Sequence, residues 1–301
     1  MQVLRFITLF LLGGLLACQK PGTVPAKPAT GTHTGDSVVV TPPGNATATP
    51  PGNTTTTTPG SSTASQPADS VTTYKKVRIS WSMNDFQEIR YDATGQPVQY
   101  SSQYVDNQGT GHIRRFVYNL HYSAQQQLIR MDVTGEAGNS YATYQYSGSQ
   151  VSQTSLFTAD GHLLSTCMYQ YAGPNQLSQV DEVNAFSNKA ERRTYQYDAA
   201  GNLSVLTTYA QQAVTGSYVL QHTLSFSDYD TQHDVENLLF HLPLLPNVTF
   251  RTNNHGLKIL RDPTGRELSR EHTTYQYNEQ GYPVQQTRTG PGGALTAKYS
   301  Y

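Results

Sequence analysis

The chain has 301 residues and sets 20 Lys and Arg against 21 Asp and Glu, a formal net charge of −1. Charged residues make up only 14%, with no Lys/Arg cluster of the kind that binds a polyanion, so nucleic acid is not an expected partner. There is no phosphate loop, dinucleotide fingerprint or nucleophile-elbow pattern, and no cofactor is implied.

Residues 1–17 read as a removable export signal: Arg5 supplies the positive start and Phe6 to Leu12 an apolar run too short to span a bilayer. Leu15-Leu16-Ala17-Cys18 resembles the bacterial lipoprotein lipobox, which implies cleavage before Cys18 and lipidation of its thiol. An ordinary signal peptide with a chance cysteine is the alternative. Several acyl chains on one residue give firm membrane anchoring, so the expected partner is the membrane itself. Gln19 in place of Asp resembles the proteobacterial sorting signal for the outer membrane. Gln19-Lys20-Pro21-Gly22 lacks the acidic run that resembles a surface-export signal in Bacteroidetes lipoproteins, so a periplasm-facing position is expected.

Residues 18–73 comprise Cys18 and a tether of Thr, Pro, Gly, Ala and Ser, including an unbroken run from Thr54 to Thr58. Such a segment cannot bury enough apolar surface to offset the entropy of ordering it. As a flexible coil it spans roughly 40 Å on average. Asp36-Ser37-Val38 and Asp69-Ser70-Val71 resemble the O-glycosylation consensus of Bacteroidetes exported proteins, a pattern short enough to arise by chance. The remaining residues, 74–301, are expected to form one repetitive β domain.

In that domain a small phrase recurs nine times, two apolar or aromatic residues flanking a polar one. It runs from Ile89-Arg90-Tyr91 through Leu120-His121-Tyr122, Tyr144-Gln145-Tyr146, Tyr169-Gln170-Tyr171, Tyr195-Gln196-Tyr197, Leu224-Ser225-Phe226, Val248-Thr249-Phe250 and Tyr275-Gln276-Tyr277 to Tyr299-Ser300-Tyr301. Successive copies end 24 to 31 residues apart, a period that signals a repeat architecture. In the clearest copy Arg193, Tyr195 and Tyr197 share one strand face, Asp198-Ala199-Ala200-Gly201-Asn202 supplies turn chemistry, and Leu203 to Tyr209 is a return strand. Each unit is therefore a β-hairpin. Gln126 stands where other copies place the turn glycine. The fold class is all-β: an antiparallel meander of about 14 to 18 strands forming a strongly curved sheet or an incomplete barrel, with one covered and one wetter face.

Tyr197-Asp198-Ala199-Ala200-Gly201-Asn202-Leu203 is similar to the tyrosine–aspartate (YD) repeats of Rhs-type proteins. The lipobox, the Thr/Pro-rich tether and the degenerate repeats together resemble a group of Bacteroidetes lipoproteins of unknown function with a porin-like β fold. The resemblance implies the architecture and carries no activity with it. With Cys18 lipidated, Cys167 is left as a lone thiol; it reads as a buried structural residue, and no intrachain disulfide forms.

The rhythm breaks between Asp228 and Asn254. Val235, Leu238, Leu239 and Leu242 fall at i, i+3, i+4 and i+7, which predicts a short helix over 234–242, capped by Asp234 and stopped by Pro243 and Pro246. Its expected role is a plug for one end of the sheet, or a lid over a cavity. Asp228, Asp230, His233 and Asp234 form a candidate cation cluster, although turn and capping roles explain the same residues and the calcium-loop and zinc spacings are missing.

Two function classes remain. The first is a non-catalytic envelope module that binds a glycan, lipid, peptide or protein, or that acts as a scaffold. Its candidate ligand contacts are Tyr144, Tyr146, Tyr169, Tyr171, Tyr195, Tyr197, Tyr275 and Tyr277 if their face is open, although most of them read first as core. The second is a hydrolase on envelope polymers, with Glu182, Glu191, Glu267 and Glu271 as acids able to pair across strands.

Overall fold

A computed structural model describes residues 76–105, 111–136 and 138–301 of the chain. The expected signal segment, the lipidation site Cys18 and the tether lie outside the described residues. The wall begins with β1 (Lys76–Ser82), β2 (Asp85–Tyr91), β3 (Pro97–Val105), β4 (Ile113–Tyr122), β5 (Leu128–Gly135) and β6 (Ser140–Ser147). It continues with β7 (Gln150–Thr158), β8 (Leu163–Gly173), β9 (Gln176–Asn184), β10 (Ala190–Tyr197) and β11 (Leu203–Gln211). It ends with β12 (Tyr218–Tyr229), β13 (His255–Arg261), β14 (Glu267–Tyr277), β15 (Pro283–Gly290) and β16 (Gly293–Ser300).

Every strand pairs antiparallel with its sequence neighbours, and β16 returns to β1 through Arg78↔Ser300, Ile79↔Tyr299 and Ser80↔Lys298. The sheet is thus a closed barrel, which corrects the expected incomplete one. Closure pairs the two terminal strands, whose edge groups an open meander would leave exposed. Eight of the nine recurring phrases fall on the even-numbered strands or at their ends, where the chain runs toward one rim of the barrel. That rim also receives the start of β1, the end of β16 and the long β12–β13 connection; we call it the plug rim and its opposite the far rim. Val248-Thr249-Phe250 is the exception: it lies in the connection and forms no strand.

The turns repeat one device. In 92–96, 198–202, 262–266 and 278–282 the first Asp or Asn accepts backbone N–H bonds two and four residues on through its side-chain oxygen, while a glycine at positive φ closes the turn. Gln126 adopts φ 62° at the equivalent place, so the degenerate copy keeps the geometry without the glycine.

Alternation puts tyrosines and aliphatics inside and polar groups outside. Tyr100, Tyr118, Tyr144, Tyr169 and Tyr195 are buried in one continuous core with Leu128, Met131, Leu177, Leu203 and Leu206. The outer face carries ion pairs along the wall, Arg78–Glu88 at 3.4 Å, His121–Asp132 at 2.8 Å and Arg192–Asp181 at 2.6 Å, among Gln, Ser and Thr. A lipid-facing barrel has the reverse polarity, and a Lys or Arg facing lipid at mid-depth costs about 2–4 kcal/mol. This wall is built for water.

The expected helix over 234–242 is not found: the segment makes a single 3-10 turn, Asn237–Phe240, and the described residues contain no α-helix. Asp234 Oδ1 does accept from the Glu236 N–H at 2.7 Å, but the 3-10 turn begins only after Glu236 and has no side-chain cap of its own. Asn237 is engaged elsewhere: its Oδ1 accepts from the N–H groups of Phe250 and Arg251 at 2.6 and 3.0 Å, and its Nδ2 donates to the Val248 carbonyl at 2.8 Å. The apolar residues do not share one face either. Val235 packs against Ile79, Ala297 and Tyr299, Leu238, Phe240 and Leu242 pack into the main core, and Leu239 touches both.

Candidate functional site: the plugged lumen and the tyrosine rim

A ring of 16 strands is wide enough to leave an aqueous channel. Here residues 230–254 enter from the plug rim and bury Leu244, Leu245, Val248, Phe250, His241, Arg251 and Asn254. Phe250 packs on Phe240, Tyr195 and His241 at ring-centroid distances of 4.7, 5.7 and 6.1 Å. The wall bonds directly to the plug: Leu203 N–H donates to the Phe250 carbonyl at 2.8 Å, Thr249 N–H to Asn175 at 2.7 Å, and the Tyr144 hydroxyl to Leu244 at 3.0 Å. Buried Asn202, the last residue of the clearest turn, accepts from the N–H groups of Thr252 and Asn253 at 2.8 and 2.9 Å.

Where plug meets the β13–β16 side of the wall, a buried charge network forms. Arg251 pairs with Asp234 at 2.8 Å, Lys258 with Glu271 at 2.7 Å and Arg288 with Glu236 at 3.1 Å, and the Tyr299 hydroxyl donates to Glu236. Arg251 Nη1 donates to His255 Nδ1 at 2.9 Å. Burial and the Arg251 charge push the His255 pKa well below its ordinary value, and burial pushes His241 down to about 3, so both stay neutral. Glu236 and Glu271 are desolvated too, but neighbouring cations, Arg288 for the first and Lys258 for the second, hold both below the usual carboxylate range. The network balances three cations with three anions.

The expected ligand tyrosines serve the wall. Tyr144, Tyr169 and Tyr195 are buried, with Tyr169 sharing a hydroxyl bond with Thr154 at 2.8 Å. Tyrosines at the plug rim reach back to the preceding hairpin and donate to the carbonyl just after its turn. Tyr122 bonds Pro97 at 2.7 Å, Tyr146 bonds Leu128 at 3.0 Å, Tyr171 bonds Val151 at 2.9 Å, and Tyr301 bonds Pro283 at 2.7 Å. Tyr229 donates to Leu203 in the same way, and Tyr197 lies against Leu177 at the corresponding place. Tyr275 stacks beside Tyr277 at 6.0 Å, and the Tyr277 hydroxyl donates to Asp230. Two concavities lie among these groups. One of about 140 Å³ is lined by Gln96, Pro97, Tyr122, Gln126, Leu128 and Tyr146 with Pro246 and Asn247 of the plug. A second of about 260 Å³ is lined by Ser147, Gln150, Ser152, Tyr169, Gln170 and Tyr171 on the adjoining hairpin.

The candidate cation residues are dispersed among separate partners. Asp230 accepts from the N–H groups of Gln232 and Asn254 at 3.0 and 3.1 Å, Asp234 faces Arg251, and the His233 ring stacks on Tyr282 at 5.2 Å. Asp228 holds φ 56° at the end of β12 against Gly256, where an added Cβ would meet the Asp228 carbonyl at 2.8 Å. Among the described residues no group of three or more His, Cys, Asp or Glu has a metal-binding arrangement. Of the candidate acids, Glu182 and Glu191 do face each other across β9 and β10, with Arg193 between them at 2.5 and 3.2 Å. Glu267 pairs with Arg270 at 2.8 Å and Glu271 lies in the lumen network. Cys167 is buried, and desolvation raises its thiol pKa to about 12, which leaves it unreactive. Sequence reasoning missed Arg251, Lys258 and Arg288. Lys258 and Arg288 were detectable as cations on the strand parity that alternation assigns to the interior.

No family model matches the chain, and no curated protein matches it. Among solved structures it is similar to a porin-like protein from Bacteroides uniformis, at 13% identity and TM-score 0.52, over 76% of this chain and 96% of that one. A porin-like protein from Bacteroides vulgatus aligns over 76% of this chain and 98% of its own, at 14% identity and TM-score 0.40. The first likeness extends to the fold and not to an activity.

Proposed function

We propose that this protein is a non-catalytic envelope module, a water-exposed barrel tied to the outer membrane by lipidated Cys18, that binds a glycan at its plug rim. The observation that carries the reading is the pair of adjoining concavities among rim tyrosines, set beside a lumen filled by its own plug. The amides of Gln126 and Asn247 and the side-chain oxygens of Gln96 and Gln150, whose Nε2 groups already donate to backbone carbonyls, suit sugar hydroxyls, and tyrosine rings suit the apolar faces of a pyranose. Adjacent cavities on neighbouring hairpins favour a chain of at least two sugars over a single one. Against the hydrolase reading, Glu182 and Glu191 are both paired with one guanidinium, that of Arg193, and neither lines either concavity.

Binding is tested by titrating the chain with soluble peptidoglycan fragments and capsular-type oligosaccharides in a calorimeter, alongside Asn247→Ala. Binding by the parent chain and a several-fold loss in the variant are expected. No binding to any oligosaccharide, or equal binding by both chains, would remove the rim as a glycan site. The anchor is tested separately, by intact mass from cells grown with and without globomycin. An unchanged mass would refute lipidation.

A further inference from the structure

The two rims differ in chemistry. Turn tips at the plug rim carry Asp92, Thr94, Gln125 and Asp198, and the apolar groups exposed there, among them Tyr282 at 41% and Tyr301 at 49%, are fewer and less exposed. At the far rim, Met83 is 88% exposed, Phe186 73% and Val214 97%, each at the tip of a different hairpin turn. Behind them, at or near strand starts on the same rim, Ile113, Leu163 and Leu268 are also exposed. Soluble proteins scatter single apolar residues over their surface, but concentration at one end marks an interaction site. The Met83 turn joins β1 and β2 and the Phe186 turn joins β9 and β10, eight strands away in a ring of sixteen and therefore opposite it.

We propose that the far rim is a lipid-facing surface, whose separate apolar turn tips dip into the headgroup boundary of a bilayer while the polar wall stays in water. The arrangement selects this occupant. A protein partner of standard size needs a contiguous patch of roughly 800 Å², whereas tips on opposite sides of a barrel end meet a flat sheet together. Among the described residues most charges near the tips are paired, Asp160 with His162 at 3.2 Å, Asp262 with Arg266 at 2.9 Å and Glu267 with Arg270 at 2.8 Å, and Lys189 is an exposed cation in the Phe186 turn. Attachment is therefore by apolar insertion rather than by attraction to anionic headgroups. The wall strands are 7 to 12 residues long, or about 20–30 Å of tilted strand. Under the proposed lipidation of Cys18, residues 18–75 as a flexible coil would span roughly 40 Å, enough to pass that height from the plug rim.

The test uses the chain from Gln19 to Tyr301, which has no acyl anchor and keeps every strand of the closed barrel. It is floated with vesicles of phosphatidylethanolamine and phosphatidylglycerol and, separately, of phosphatidylcholine alone. Binding to both, with weak salt dependence, is expected. The triple variant Met83→Ser, Phe186→Ser, Val214→Ser should lose about tenfold or more in bound fraction with an unchanged thermal melt. An environment-sensitive dye on Phe186→Cys should shift to the blue with vesicles, and the same dye on Ala199→Cys, at the plug rim, should not. Failure to float, full binding by the triple variant, or a shift at position 199 alone would each overturn the proposal. So would a concentration-dependent dimer that the triple variant abolishes, which would assign the face to a second copy of this chain.

Discussion

His241 and His255 make the protein lose stability as pH falls below about 6.5. Both rings are buried in the plug and at the start of β13, and their folded-state pKa values lie below the ordinary 6.5, at about 3 for His241. The cause is loss of hydration first, with Arg193 adding to it at His241 and Arg251 at His255. The His241 Nδ1 contact at 3.1 Å is to the Pro243 carbonyl, which only accepts, so that nitrogen carries the proton of a neutral ring. A depressed folded pKa means that the unfolded chain takes the proton first. Stability is thus fully present above pH 6.5 and is lost as pH falls toward the folded pKa, at about 1.4 kcal/mol per unit and per ring. Between pH 7.5 and 5.0 that amounts to about 2 kcal/mol for His241, with His255 adding to the loss in the same direction. Asp234 works the other way: burial lifts its carboxyl to about 6 against the pull of Arg251, so proton uptake there returns part of the loss. Urea unfolding at pH 7.5 and 5.0, followed by circular dichroism, separates the terms by comparing the parent with His241→Asn. The variant should be less stable at both pH values yet lose about 2 kcal/mol less between them. An identical pH dependence in parent and variant would show that His241 is not held neutral and that the plug does not exclude water there.

Phe250→Ala distinguishes a structural plug from a lid. The ring is almost wholly buried against Phe240, Tyr195 and His241, so its loss should cost about 3–5 kcal/mol in global urea unfolding; a cost below about 1 kcal/mol would mean that the loop detaches easily. Gln126→Gly should stabilise by about 0.5–1 kcal/mol, raising Tm by a few degrees, because a side chain is removed from a left-handed position. A lower Tm would show that Gln126 earns its place through side-chain contacts at the rim cavity. Tyr171→Phe removes one rim hydroxyl from the Val151 carbonyl and should cost about 1 kcal/mol by thermal melting, with no cost expected if the ladder is ornamental.

The period of the repeat was readable because alternation and turn chemistry are local. Tyr195 and Tyr197 with Asp198 and Gly201 specify a strand end, a bulge and a turn within seven residues, and the register shift at Gln196/Tyr197 recurs at His121/Tyr122, Gln145/Tyr146 and Gln276/Tyr277. Closure was not readable. It depends on pairing Arg78 with Ser300 across the whole length of the domain, and neither residue carries a signal that distinguishes a seam from an edge. The helix was misread because Val235, Leu238, Leu239 and Leu242 have helical spacing by coincidence: two apolar clusters on different parts of the wall take up these residues. The partnership of Arg251 with Asp234 was hidden as well, because the loop path that joins them is fixed by Asn237 and Asn202, whose side chains bond backbone that only tertiary structure brings near.

The break in the repeat follows from the strand number. Eight hairpins close a ring of sixteen strands, and such a ring is too wide for inward side chains alone to fill. A transmembrane barrel can leave that space to water because its apolar surface faces lipid. This barrel has the opposite polarity, with Arg78, Glu88, Asp132 and Arg192 outside and Tyr118, Leu128, Leu177 and Leu206 inside. Its apolar surface must be covered from within, and an empty lumen would leave the core residues wet. The 230–254 connection supplies the missing volume with Leu244, Leu245, Val248 and Phe250. Its Glu236 pairs with Arg288 of the wall and its Arg251 with its own Asp234, while Lys258 and Glu271 pair within the wall, so that none of these ions is buried alone. The one stretch that departs from the hairpin rhythm is therefore what allows a porin-sized ring to stand in water, and it leaves the two rims, not the bore, as the surfaces on which a ligand or a membrane can act.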